Sequence, residues 1–259
     1  MNRYDKIAAD IMSHLLDDYG VTNALTKLVK PHITTVKKLF DAGDTGALGS
    51  YYYNKEGKLG DLPGIKKSPE NKFIMDIGYK ILFAEGNGNC WSLVGYNPLS
   101  KYILLQYDIL AAVNCLTTCP QYNDIFKRDI ARFDVSIRHE VTHAIRDAHT
   151  HHIKKFMERS KTDKKLVQEY NEHGHQDFEF EIDAIINSFD RLRKKIGVVR
   201  YNKLDEAGFE NLLPGLRFPR VGNPARKVWM RRLEREGLLP DKMLHGGKIV
   251  ASICSGNKT

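Results

Sequence analysis

A chain of 259 residues with 42% hydrophobic and 28% charged side chains is long enough to bury its own core and too apolar to stay disordered. Its 40 basic residues outnumber the 32 acidic ones, a net charge of +8 that favours acidic partners without naming one. The longest apolar runs, Tyr102 to Leu105 and Ile109 to Val113, fall far short of the roughly 18 residues of a membrane span. The first 25 residues lack a signal-peptide core, so a cytoplasmic or otherwise intracellular protein without membrane contact is expected. Cys90, Cys115, Cys119 and Cys254 are too few and too unevenly spaced for a disulfide framework, and buried free thiols in a reducing compartment fit them best.

In chain order, Tyr4, Ile7, Ile11, Leu15 and Tyr19 recur at helical spacing and predict an amphipathic helix. Val21 to Phe40 reads as a second helix, which Pro31 should break or kink. Gly43 to Gly64 carries Tyr51, Tyr52 and Tyr53 among turn residues and reads as loop or short strand. Between Lys72 and Ile109, short apolar runs punctuated by Gly86-Asn87-Gly88-Asn89 and Tyr96-Asn97-Pro98 predict successive antiparallel strands, with Tyr102 to Tyr107 the clearest. Phe126, Ile130, Phe133, Ile137, Val141, Ala144 and Ala148 then form an apolar stripe with no glycine or proline, the signature of a long helix packed on a core. The charged stretch Lys154 to Asn171 reads as a solvated helix end and connector. Phe178, Ile182, Ile185, Phe189 and Leu192 mark a further buried helix. The segment after Gly197, with four prolines, should be irregular and basic with one short helix near Ala225 to Glu236. No repeat or low-complexity linker divides the chain, so 1–259 is expected to be one α+β domain: a small antiparallel or mixed sheet followed by two buried helices.

The long helix contains Arg138-His139-Glu140-Val141-Thr142-His143, an H-E-x-x-H pattern. Residues four apart lie one turn above each other, so His139 and His143 can offer two imidazole nitrogens to one tetrahedral Zn²⁺ from a single rigid rod. Glu140 is turned about 100° from His139 and can reach a water on the metal without being a ligand itself, which is the position of a general base. Relative to Ile137, His139 falls near about −160° and His143 near about −120°, so both point away from the apolar stripe, towards an expected cleft.

On these residues, and on the order of strand Tyr102 to Tyr107 before helix Phe126 to His149, the chain resembles the zincin metallopeptidases. The resemblance covers Leu93 to Leu192 at the level of the clan and implies a zincin-like fold, one zinc ion and hydrolysis of a protein or peptide substrate. Two residues compete as the third ligand. His149 sits where a metzincin has its third histidine, but that pattern needs a glycine where Arg146 stands, and on an unbroken helix His149 lies about 120° from His143. Glu181, 38 residues after His143, opens Glu181-Ile182-Asp183-Ala184 in an arrangement similar to the glutamate helix of the gluzincins. It falls at the edge of its helix's apolar stripe, where a carboxylate needs a partner, while Glu179 and Asp183 should lean outward. A salt bridge to an arginine or lysine is the alternative use of Glu181. With His139, His143 and Glu181 on the metal, Glu140 would take a proton from water and pass it to the leaving amine.

Asp147 or Asp183 could orient a ligand histidine through its second nitrogen, and Tyr170, His173, His175 or Tyr201 could donate to a developing oxyanion. Two rival readings remain. Gly88-Asn89-Cys90-Trp91 carries the Gly-x-Cys-Trp found around papain-type nucleophiles, but Cys90 precedes a strand rather than opening a helix. Residues Arg217 to Arg235 hold a net +6 with Phe218 and Trp229 available for stacking, which suits an acidic partner or nucleic acid; the alternative is a nucleic-acid-binding or structural protein with an inactive or structural metal site.

Overall fold

The computed structural model describes residues 19–67, 71–86, 92–118, 125–165, 168, 179–212, 218–219 and 224–243. The helix expected from Tyr4 lies outside these residues except for Tyr19. Helix α1 (Val21–Asp41) runs unbroken through Pro31. Proline inside a helix costs about 3 kcal/mol, whereas each fully buried Val, Leu or Ile returns about 1.5–3 kcal/mol. Val21, Leu25, Val29, Ile33 and Val36 are all buried on one face, and Pro31 stands on the exposed side, so burial outweighs the lost hydrogen bond.

After the short helix α2 (Thr45–Gly49) come β1 (Tyr53–Lys58), helix α3 (Lys72–Met75), β2 (Gly78–Ala84), β3 (Ser92–Asn97) and β4 (Tyr102–Asp108). The four strands form one mixed sheet in the order β1-β2-β4-β3. The antiparallel expectation fails at the centre, where β2 and β4 are parallel, with Gly78 opposite Tyr102 and Ala84 opposite Asp108. The reason is the route of the chain. β2 leads to β3 on the far edge, and a turn after Asn97 sends β4 back between them. The Asn97 side-chain oxygen accepts from the Leu99 and Ser100 N–H groups and fixes that turn. Strand β1 was legible only as loop or short strand, because its tip, Asn54 to Gly57, is polar and its burial weak.

Asp108 at the end of β4 is buried and accepts from the Ala111 N–H at 3.0 Å, capping helix α4 (Ile109–Thr118), which the apolar run Ile109 to Val113 alone does not separate from a strand. Helix α5 (Ile125–Thr150) is the expected long helix. Its Phe133, Ile137, Val141, Ala144 and Ile145 join Tyr79, Ile81, Phe83, Ile103, Leu105 and Tyr107 of the sheet and the apolar face of α1 in the main core. His151, with φ 51°, interrupts the helical path before α6 (His152–Ser160). Helix α7 (Glu179–Ile196) packs along α5. The contacts Asp134 to Arg191, His139 to Ser188 and His143 to Glu181 run in opposite chain directions, so the two helices are antiparallel.

The C-terminal segment contains the short helix expected near Ala225 to Glu236, but in place of irregular chain around it there is a second core. Helices α8 (Val198–Tyr201), α9 (Glu206–Leu212) and α10 (Pro224–Arg235) bury Tyr201, Phe209, Phe218, Trp229 and Leu233 against Ile182, Ile185, Ile186, Phe189 and Leu192 of α7. Large aromatic areas hold this region despite its prolines. The cue to α9 was Asp205, whose carboxylate accepts from the Gly208 N–H at 2.9 Å. Pro224 opens α10 at a first-turn position that proline suits. Among the described residues no helix is long and apolar enough to cross a membrane.

Candidate metal centre

Two helices build the site. Helix α5 is fastened to the sheet by Ile137, Val141 and Ala144, and this burial turns His139 and His143 towards α7. Their Nε2 atoms stand 3.0 Å apart. From α7, Glu181 places Oε2 3.3 Å from His139 Nε2 and Oε1 3.4 Å from His143 Nε2. One donor atom from each residue thus falls within 4.8 Å of the others, a group close enough to hold a metal ion.

The donor chemistry fits a cation. The Ala184 carbonyl, which can only accept, hydrogen-bonds His139, and the Ser188 hydroxyl lies 3.2 Å from His139 Nδ1 and 2.8 Å from the same carbonyl. The proton of a neutral His139 therefore sits on Nδ1, and its Nε2 lone pair points at His143 and Glu181. Imidazole nitrogens 3.0 Å apart beside a carboxylate can share a proton in a hydrogen bond or be drawn together by a metal ion. Tetrahedral ligands at about 2.0–2.1 Å from zinc are separated by about 3.3–3.4 Å, close to the spacings here.

The electrostatics agree. Burial disfavours the charge on Glu181, yet hydrogen bonds from His139 and His143 overcome it and hold the carboxyl well below its usual range. Burial also works against a charged His139, but the Glu181 hydrogen bond and the Glu140 and Glu181 charges win and raise its pKa. The side chain of His143 is 7% exposed and that of Glu181 11%, against 22% for His139. All three side chains are thus mostly covered, His139 the least, and do not face the expected open cleft.

Glu140 does not join the group. Its Oε2 accepts from the Tyr96 main-chain N–H on edge strand β3 at 2.8 Å. The Tyr96 hydroxyl donates to Asp147 Oδ2 at 3.3 Å. Burial, the Asp147 charge and this hydrogen bond all raise the Tyr96 phenol, keeping it a donor. Neither Tyr96 nor Ser188 was singled out from sequence. Ser188 carried one signal, its position two turns after Glu181 on the same helix face.

Other expected roles change. Asp183 does not lean outward or touch a ligand histidine: it is 4% exposed and pairs with Arg146 of α5 and with Arg232 of α10, the latter at 2.9 Å. Asp147 faces Tyr96. Tyr201 is buried in the second core and donates to the Leu238 carbonyl at 2.7 Å, so it offers nothing to an oxyanion. Helix α5 continues through Arg146 to Thr150 without the turn a third histidine at 149 would need. Tyr170, His173, His175, Cys90, Cys119 and Cys254 lie outside the described residues, as does the Cys115 side chain. Within the basic run, Arg226 pairs with Glu206, Arg232 with Asp183 and Arg235 with Glu236, while Lys227 and Arg231 are exposed and Arg217 and Arg220 lie outside the described residues. Phe218 and Trp229 are buried, so neither is a stacking platform. Compared with protein-family models, curated proteins and solved structures, the chain matches none.

Proposed function

We propose that this protein is a zinc-dependent metalloendopeptidase of the zincin type, with His139, His143 and Glu181 as the zinc ligands and Glu140 as the general base. The observation that carries the reading is the meeting of three donor atoms 3.0–3.4 Å apart from two helices, next to a glutamate that is not one of them. A bound zinc ion supplies Lewis acidity, polarising the scissile carbonyl and bringing a water's pKa to near neutrality. The Ala184 carbonyl, with Ser188 beside it, keeps the proton of His139 on Nδ1 and so presents Nε2. Glu140 takes the proton of the attacking water and delivers it to the amine nitrogen as the amide C–N bond breaks.

Protein purified without added zinc is expected to hold about one zinc ion per chain, and Glu181→Ala to lose most of it. A metal-free wild-type protein that also takes up no added zinc overturns the reading. Uptake should depend on pH. Because His139 is raised in the metal-free protein, its proton competes with the ion, so affinity weakens as pH falls through that raised value. Zinc titrations at about pH 7.5 and about pH 5.5 should show the weaker affinity at the lower pH.

A further inference from the structure

Tyr96 is the cross-strand partner of Ile103, so its ring shares Ile103's buried face of the sheet, the face that α5 covers. Its N–H, however, points at the Glu140 carboxylate 2.8 Å away and not into the β3–β4 ladder. Among the described residues strand β3 is an edge of the sheet, which leaves this N–H available. Its phenol reaches Asp147, seven residues beyond Glu140. Seven residues are about two turns and about 10 Å of helix, returning to within about 20° of the same face. Tyr96 therefore touches α5 at two points on one face, and His143 lies between them in the chain.

Resting on the metallopeptidase reading above, we infer that Tyr96 is a positioning residue for Glu140: edge strand β3, through one main-chain N–H, fixes the direction of the base. Glu140 is only partly buried and has three side-chain torsions, so helix α5 alone leaves its carboxylate several rotamers. A charge-assisted hydrogen bond to a sheet amide selects one of them, engages Oε2 and leaves Oε1 for the proton. The Tyr96–Asp147 contact holds the strand to the helix so that the amide stays in register with the base. Small misplacements of a reacting group are costly, so the strand contributes to rate without touching substrate.

The clamp is tested without any substrate in the full chain labelled with ¹⁵N-tyrosine, the Tyr96 amide signal being assigned by its loss in Tyr96→Phe. In Glu140→Ala this amide should move upfield and exchange with solvent at least about ten-fold faster, while Tyr107 in the centre of the sheet is unmoved. An unchanged Tyr96 amide overturns the inference. Its catalytic consequence is read by comparing Tyr96→Ala, which keeps the N–H, with Tyr96→Pro, which lacks it and costs no ladder bond on an edge strand. At equal zinc content and equal melting temperature, with casein as substrate, kcat of Tyr96→Pro should lie about 10²-fold below that of Tyr96→Ala with KM little changed. Equal kcat values, or a difference confined to KM, overturn the inference. Absence of hydrolysis by zinc-loaded wild type rejects the peptidase reading instead, and the amide measurement still decides whether the clamp exists.

Discussion

Glu140→Gln is expected to leave zinc bound and to slow peptide hydrolysis about 10²- to 10⁴-fold, the usual contribution of a positioned general base. This corresponds to about 3–5 kcal/mol of the barrier. The structure separates the two effects cleanly. Glu140 is absent from the His139, His143 and Glu181 group, so its loss removes no donor atom. The amide oxygen of glutamine can still accept from the Tyr96 N–H, which preserves the contact that ties α5 to β3. What disappears is a group able to take up a proton. His143→Ala supplies the contrast, because it removes a nitrogen that lies 3.0 Å from His139 Nε2 and should abolish both zinc binding and hydrolysis. Metal analysis and casein hydrolysis on the same preparations give the result. Full activity in Glu140→Gln would remove Glu140 from the mechanism while leaving the metal site standing.

Asp183→Ala should destabilise the protein by about 3–5 kcal/mol, a large part of the roughly 5–15 kcal/mol that holds a folded protein together. Asp183 is 4% exposed and lies between the guanidinium groups of Arg146 and Arg232, themselves largely buried, so its removal strips a carboxylate from two desolvated cations. The exposed pair Lys37 and Asp41 on α1 marks the other extreme, and Asp41→Ala should cost about 0.5 kcal/mol or less. Urea unfolding of both variants beside wild type measures the difference. The same change reaches the metal group, because Asp183 is two residues from Glu181 and ties α7 to α5 and α10. Zinc affinity should fall about 10- to 100-fold, the range for residues that hold ligands in place. A loss below about 1 kcal/mol would mean that the Arg146 and Arg232 contacts do not determine how α7 sits on α5.

The elements of the site were legible in the sequence for a local reason. Helical geometry is fixed by neighbours three and four residues apart, so the stripe from Phe126 to Ala148 defines the long helix and the four-residue step puts His139 and His143 on one side. The phase of Glu181, at the edge of the next stripe, is local in the same way, and it meets the two histidines in the folded chain. The same arithmetic misplaced Asp183. An angle on a helix wheel says which way a side chain leaves its own helix but not what stands there, and Arg232 arrives from a helix 49 residues further on. Proline and glycine content made the C-terminal segment look irregular, because composition does not reveal that Phe209, Phe218 and Trp229 converge.

The sequence by itself determined two helices with His139, His143 and Glu181 phased so that the three meet, and Glu140 one step from the first histidine. Only the tertiary structure decided the parallel pairing of β2 with β4, the contact of Ser188 with His139 Nδ1, and the hydrogen bond of the Tyr96 amide to Glu140. These are contacts between residues 24, 49 and 44 positions apart, beyond the reach of any helical or strand period. They form only when packing of the sheet on α5, and of α5 on α7, brings distant backbone and side-chain groups together.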